Sequence, residues 1–321
     1  MSEALNALTL LHPTTIDAAV AALETNPTAR LCAGGTDLIV SLRRGLVEAE
    51  TLIDITGIDA MQMLEVSDAG LRIGAGVTLR ALTENPDIAA AYPAISQAAV
   101  AVAGPTHREV ATVGGNLCLD TRCLYYNQSH WWRKSNDFCL KYRGDICHVA
   151  PKGNRCRAAF SGDLAPALMV HGAVVDIAGK DGLRQIPLAE LYQEDGADHL
   201  KLGPGEIVIA VTVPATHATS SYAKIRVRGA IDFPLAGVAV ACDAQGAGAR
   251  FTLAITGTNS MPLLVDIPDT LGPSSDADTF FKDMSKRVQK AVSPQRTSTT
   301  APHYRRLSVS ALACRLARGL V

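Results

Sequence analysis

The sequence predicts an α+β protein in three parts, and three observations carry that reading. Short apolar strands alternate with helical periodicity through about residue 219. From about Ser220 the pattern becomes that of antiparallel strands, in "SYAKIRVRG", "LAGVAVACDA" and "ARFTLAITG". Between them, "CLYYNQSHWWRKSNDFCLKYRGDICHVAPKGNRC" fits neither period, and it holds four of the chain's eight cysteines in 34 residues.

The first part, residues 1–56, reads as a small α/β unit. Thr14 or Thr15 can cap a helix that carries Ile16, Val20 and Leu23 on one face. Strands follow at "ARLCAG" and "TLIDI", separated by "GGTDLIVSLRRG". The second part, 57–219, starts with "LRIGAGVTL" and continues through Ala- and Val-rich helices between Pro86 and Val102 to "EVATVGGNL". The cysteine segment, about 118–160, interrupts it. "SGDLAPALMVHGAVVDIAG" then reads as helix and strand, and "KLGPGE" as a turn before "IVIAVTVPA". The third part, 220–321, carries a small antiparallel sheet, a polar stretch over 271–300, and a closing amphipathic helix in "YRRLSVSALACRLARGL". No internal repeat is visible.

Composition narrows the function classes. At 321 residues and 48% apolar, each part can bury a core. A net charge of −1 argues against a nucleic-acid binder. "MSEALNALTL" lacks the basic start and apolar run of a leader, and no run of 18 apolar residues spans a membrane. The expectation is a soluble, cytoplasmic chain. Thiols stay reduced there, so a local cysteine cluster points to metal before disulfides.

Two glycine pairs stand out. In "AGGTDL" (Ala33, Gly34, Gly35, Thr36, Asp37, Leu38) the glycines can take positive φ and let a ligand approach the backbone. N–H groups at the following helix start suit an anion, and Thr36 can add a donor. Asp37 suits a helix cap better than a phosphate contact. "TVGGN" (Thr112 to Asn116, with Gly114 and Gly115) repeats the pattern, read again as following a strand. Together the pairs suit a long ligand with a pyrophosphate centre. No strand is followed by G-x-G-x-x-G, and G-x-x-x-x-G-K-[ST] is absent.

The cysteine spacing is C-x15-C-x7-C-x8-C, from Cys123 through Cys139 and Cys147 to Cys156. Zinc sites usually bring close pairs and ferredoxin runs are compact, so spacing alone leaves zinc and iron–sulfur equal. From Arg122 to Arg157 the segment holds Arg122, Arg133, Lys134, Lys141, Arg143, Lys152, Arg155 and Arg157 against Asp137 and Asp145. Such a shell stabilises an anionic cluster, and it equally suits a solvated face or an acidic partner.

"LCAGGTDL", "ATVGGN", "SGDLAPAL", "YAKIRVRGAIDFPLAGVAVA" and "YRRLSVSALACRLA" resemble the flavoprotein subunits of molybdenum hydroxylases, among them xanthine dehydrogenase and aerobic carbon monoxide dehydrogenase. The likeness covers nearly the whole chain. It implies a two-subdomain FAD-binding fold with a C-terminal domain closing over the flavin end. It implies FAD contacts at Ala33–Leu38, Thr112, Gly114, Gly115 and Asn116. It also suggests Asp163, otherwise a helix cap, and Lys224, otherwise a strand-edge cation. "THREVATVGGN" departs from the family's Ile-Arg-Asn before the second loop, and the cysteine segment replaces a short connection.

That context favours iron–sulfur over zinc. Cys123 lies seven residues beyond Asn116, a span of at most about 25 Å. A redox-silent ion gains nothing beside a flavin, whereas a cluster gains an electron route. "YYNQSHWWR", "CLK" and "CHV" further resemble the flavoprotein subunits of 4-hydroxybenzoyl-CoA reductases, which carry a [4Fe–4S] cluster as well as FAD. The resemblance makes Cys123, Cys139, Cys147 and Cys156 the ligands. Cys118 is then packing and His148 a structural histidine. It implies a large molybdopterin subunit and a small [2Fe–2S] subunit in a dimer of heterotrimers, with a ferredoxin-like donor. Electrons would pass through the cubane and FAD to the small subunit, for reductive removal of a para hydroxyl. A related hydroxylase running oxidatively, or a redox-inert scaffold holding zinc, are the alternatives. Catalytic side chains are expected in a partner. Tyr125, Tyr126, Trp131 and Trp132 are read as packing the segment, and Cys32, Cys242 and Cys314 as core.

Overall fold

A computed structural model describes residues 8–244 and 248–321 of the chain. Residues 1–7, on which the reading of a missing leader partly rests, lie outside them.

Three sheets order the molecule. The first is parallel, with β1 (Thr9–Leu11), β2 (Arg30–Cys32) and β3 (Thr51–Asp54) in the order β1-β3-β2. Helix Ile16–Thr25 makes the crossover, capped by Thr15, whose hydroxyl accepts from the Ala18 N–H at 3.2 Å. Its buried face carries Ala19 and Val20.

The second sheet is antiparallel. It contains β4 (Leu64–Ser67), β5 (Gly70–Gly74), β6 (Val174–Gly179), β7 (Gly182–Pro187) and β8 (Ile207–Pro214), in the order β4-β5-β8-β6-β7. β5 pairs with β8 across more than 130 residues, so everything from Thr78 to Gly172 is an excursion from one sheet. Ile73, Val175 and Val211 of that sheet share a buried core with Leu79, Leu82, Ile95, Leu164 and Leu168 of the helices. Removing such apolar area from water is the main stabilising term.

The third sheet joins β9 (Thr219–Ile225), β10 (Ala236–Asp243), β11 (Ala249–Thr256), β12 (Leu263–Val265) and β13 (Thr270–Leu271). The order is β12-β11-β10-β9, with β13 also on β11. Helices Ala277–Ala291 and Pro302–Arg318 bury Phe281, Met284, Val309 and Leu312 against Val240, Cys242 and Phe251. Cys242 is therefore core, while Cys32 and Cys314 are only half-buried.

The sequence reading departs from the fold in two places here. The second glycine pair does not follow a strand. It follows a short helix, Pro105–Arg108, and only an isolated bridge links Thr112 to Thr78. The cysteine segment is mostly turns but contains one short helix, His130–Ser135, capped by Ser129. Among the described residues, no helix is long and apolar enough to cross a membrane.

Candidate functional site

A cleft of about 970 Å³ is lined from all three parts of the chain. All twelve residues expected to contact FAD line it, from Ala33–Leu38 through Thr112, Gly114, Gly115 and Asn116 to Asp163 and Lys224.

The first loop leaves β2 where the Cys32 carbonyl accepts from Ile55 N–H at 3.0 Å. Gly35 takes φ +66°, and its carbonyl then receives the Ile39 N–H at 3.1 Å, opening helix Leu38–Arg43. Only at Gly35, among the four paired glycines, is positive φ the reason for glycine. Gly34 is required by close approach. A Cβ there would stand 1.8 Å from the Val110 carbonyl oxygen and 2.4 Å from its carbon. The first loop thus rests directly on the peptide that leads to the second. The N–H groups of Gly34, Gly35, Thr36 and Asp37 have no acceptor among the described residues, so four donors are free on a cleft-lining loop.

The second loop works differently. Gly115 N–H donates to the Thr112 hydroxyl at 3.1 Å, and Gly114 N–H to the Ala75 carbonyl at 2.8 Å. Its glycines therefore supply room rather than anion donors. A Cβ on Gly115 would meet only Thr112 Oγ1, at 3.1 Å, and one on Gly114 would press on Ala75 Cβ at 2.8 Å. Asn116 Oδ1 accepts from Leu164 N–H at 3.0 Å, tying this loop to the next helix.

Asp37, read as a helix cap, and Asp163, expected at the flavin or else as a cap, both pair with residues distant in sequence. Asp37 sits at the N-cap without capping through its side chain, and its carboxylate pairs with Arg122. Asp163 likewise makes no cap bond. Its two oxygens accept from the Tyr222 hydroxyl at 2.5 Å and from Lys224 Nζ at 3.1 Å. The Asp163–Lys224 pair is buried, at 4% and 3% side-chain exposure, and it joins the second part to β9. Burial pushes the Asp163 carboxyl up, and the Lys224 charge opposes that shift. Removing one partner leaves a buried charge unpaired. Lys224→Met is thus expected to destabilise the chain by about 3–5 kcal/mol, read as an earlier midpoint in chemical denaturation. An unchanged midpoint would deny the pair its joining role.

The cleft fits a long anionic cofactor on its size, its free donors and its cations. Arg122 lines it, stacks 4.7 Å from the centre of the Phe233 ring, and keeps a buried Nε without a hydrogen-bond partner. Burial lowers its guanidinium to about 10. His107, also on the lining, has an unpartnered buried Nδ1. His107 belongs to the stretch "THREVATVGGN" that departs from the family before the second loop, whereas no motif pointed to Arg122 as lining the cleft.

The cysteine segment closes on itself. Arg122 and Ala159 exchange two backbone bonds of 2.7 Å, so residues 123–158 leave and return at one point. Cys123, Cys139, Cys147 and Cys156 line one small cavity and form no disulfide. Three of them are buried and Cys139 is half-buried. Burial raises the Cys123 thiol, and takes that of Cys156 to about 12. Among the described residues, no three His, Cys, Asp or Glu side chains converge closely enough to hold a single ion. Cys118 is not on this cavity; it lines the cleft, and burial pushes its thiol up to about 12. His148, also on this cavity, turns Nε2 to the Phe138 carbonyl and has its ring centre 5.4 Å from that of Tyr125.

Tyr125 stacks with Trp132 at 6.2 Å, and buried Tyr126 donates to the Leu46 carbonyl at 2.6 Å. Trp131 departs from the expectation of packing, because it is 74% exposed. The cations differ among themselves. Arg133 is buried with Nη2 on the Gly45 carbonyl and its guanidinium 4.6 Å from the Tyr142 ring centre. Lys141 is buried against Asp120 at 2.6 Å. Arg155 approaches Glu194, and exposed Arg143 pairs with Glu48. Lys134 and Lys152 are exposed. Tyr126 and Lys141 line both the cleft and the cysteine cavity.

Comparison with known proteins fits this geometry. Residues 6–216 match the family described as "FAD binding domain in molybdopterin dehydrogenase". The chain is 32% identical to the aldehyde oxidoreductase FAD-binding subunit PaoB of Escherichia coli, over 79% of this chain and 83% of that one. It is 28% identical to the carbon monoxide dehydrogenase medium chain of Afipia carboxidovorans, over 77% and 73%. Among solved structures, reconstituted CO dehydrogenase from Oligotropha carboxidovorans superposes with a TM-score of 0.78 at 20% identity, covering 98% of both chains. Quinoline 2-oxidoreductase from Pseudomonas putida 86 gives 0.76 at 18%, covering 98% and 96%. The chain belongs to the FAD-binding subunits of the molybdenum hydroxylase family, whose members are subunits of oxidoreductases.

Proposed function

We propose that this subunit carries two redox centres, FAD in the cleft and a [4Fe–4S] cluster held by Cys123, Cys139, Cys147 and Cys156. The observation that carries this reading is the shared wall. Four thiols line one cavity, and Tyr126 and Lys141 border both that cavity and the FAD cleft. Four thiols on one cavity match the ligand number of a cubane and of a structural zinc alike; the neighbouring cleft, where a cluster gains an electron route and a redox-silent ion gains nothing, favours the cluster. Bound together, the two cofactors supply one-electron and two-electron transfer between an external donor and the partner subunits.

The protein's own groups have definite tasks. Loop 33–37 offers N–H donors to the cofactor's phosphates, and Gly115 leaves it space. Arg122 adds positive charge at the cleft and, through Asp37, fixes the cysteine segment on the first loop. The buried segment core of Leu46, Tyr126 and Ala158 shields Cys123 and Cys156 from water.

In the finer reading, this is the flavoprotein subunit of a 4-hydroxybenzoyl-CoA reductase. It would work with a molybdopterin subunit and a [2Fe–2S] subunit, taking electrons from a ferredoxin. The insertion residues "YYNQSHWWR" support that reading. A second reading is oxidative, with electrons leaving through this subunit. It is supported by the 32% identity to a protein named as an aldehyde oxidoreductase subunit. The assembled complex separates the two. Benzoyl-CoA formed from 4-hydroxybenzoyl-CoA with reduced ferredoxin supports the first, and aldehyde oxidation without that activity supports the second.

Ferredoxin docking has a narrower footprint than the charge count implied. Lys141 is buried and paired, so it cannot meet a partner, whereas Lys134 is exposed one helical turn from exposed Trp131. Lys134→Glu is expected to slow reduction by ferredoxin several-fold at low salt, with the difference fading as salt rises. Reduction by a small neutral dye should not change. Equal slowing with both donors would point to damage at the cluster, and no slowing would remove the docking role.

A further inference from the structure

Lys141 is the most heavily coordinated cation in the cysteine segment. It lies in the loop between Cys139 and Cys147, and its side chain is 5% exposed. Nζ, with three N–H groups, has four acceptors within reach: Asp120 Oδ1 at 2.6 Å, the Thr121 carbonyl at 3.2 Å, the Gly196 carbonyl at 3.0 Å and the Thr121 hydroxyl. Below it, the Tyr126 ring centre stands 4.7 Å away. Asp120 and Thr121 stand at the entry of the segment, just before the Arg122–Ala159 bridge that closes it, and Gly196 lies beyond its end. One buried ammonium therefore holds the cysteine loop to the part that lines the cleft.

Its position is asymmetric. Lys141 borders both cavities, while Asp120 borders only the cleft. A full positive charge thus sits in the wall between the two sites, with its counter-charge displaced toward the flavin side. Charges fixed at low exposure are weakly screened and act strongly on any neighbouring group that gains an electron. No part of the FAD-binding loops requires this pair, and nothing in the glycine motifs encodes it.

We propose that the pair of buried Lys141 with half-buried Asp120 is the electrostatic joint between the two cofactor sites, anchoring the cysteine segment to the cleft and setting how readily each centre is reduced. Lys141 is a positioning residue in this account. Its charge makes electron gain easier on both sides, and more so on the cysteine side. Asp120 opposes it on the flavin side. For the cysteine side the inference rests on the cluster reading above. For the flavin side it rests only on the FAD site.

The test is a spectroelectrochemical titration of the assembled complex carrying Lys141→Met, Asp120→Asn, Lys141→Arg or Lys152→Met. Lys141→Met should shift the flavin midpoint potential down and Asp120→Asn should shift it up. Lys141→Arg should restore it toward the wild-type value, and exposed Lys152→Met should leave it in place. The iron–sulfur signal should fall further than the flavin in Lys141→Met. Opposite shifts from opposite charges are a signature that general damage to the fold does not produce. Shifts in the same direction, or none, in variants with wild-type FAD content would overturn the proposal. If Lys141→Met fails to assemble, Asp120→Asn decides the matter alone: no upward shift overturns it. Wild-type protein without iron and sulfide would sink the cluster reading, while the flavin shifts would still test this one.

Discussion

Gly34→Ala is expected to strip the purified subunit of its flavin, from about one FAD per chain to almost none. The added Cβ would stand 1.8 Å from the Val110 carbonyl oxygen, a distance no packing adjustment of a side chain can relieve, because the obstacle is backbone. The loop with free N–H groups must then separate from the peptide leading to Thr112, and the cleft loses its phosphate donors and its shape together. Gly35→Val should act similarly through its φ of +66°, a conformation that a β-branched residue reaches only at a cost of about 1–3 kcal/mol. Gly115→Val removes room in the cleft without touching a donor that is free, so a weakened rather than abolished affinity is expected there. Flavin content after gel filtration checks all three. Stoichiometric FAD in Gly34→Ala would mean that the loops do not depend on each other.

The second large effect concerns the thiols. Cys123→Ser, Cys139→Ser, Cys147→Ser and Cys156→Ser should each remove most of the iron and sulfide, since a cubane needs four ligands. FAD should stay, because none of the four lines the cleft. Cys118→Ser should keep its iron, because that thiol faces the cleft and not the cysteine cavity. Iron lost on Cys118→Ser but kept on one of the four would reassign the ligand set. Analysis of iron and acid-labile sulfide in anaerobically prepared variants reads the result.

Much of this site was legible in sequence because backbone needs leave a mark. Gly34 and Gly35 announced a place where side chains are excluded, and the alternation after Ser220 announced an antiparallel sheet. The strand β4 and the edge strand β7 left weaker marks. β7 is largely exposed, so its residues "GLRQIP" lack the apolar alternation of a half-buried strand. Long-range pairing was not legible at all. Asp37 and Asp163 both stand where a helix begins, which is the local signal of a cap. Their partners, Arg122 and the Tyr222–Lys224 pair, arrive from 85 and about 60 residues away. The same holds for Lys141, which the sequence grouped with the other cations of the cysteine segment's basic shell. Only the fold shows that it is buried against Asp120, and that Trp131, beside the packed Trp132, faces outward.

What the four thiols hold decides whether this subunit has one redox centre or two. The measurement is the content of iron, acid-labile sulfide, zinc and FAD in the intact subunit prepared without oxygen, together with its visible spectrum. Two redox centres predict about four iron and four sulfide per chain, one FAD, zinc well below one, and flavin bands over a broad iron–sulfur absorption. One zinc per chain without sulfide, under a plain flavin spectrum, would contradict it.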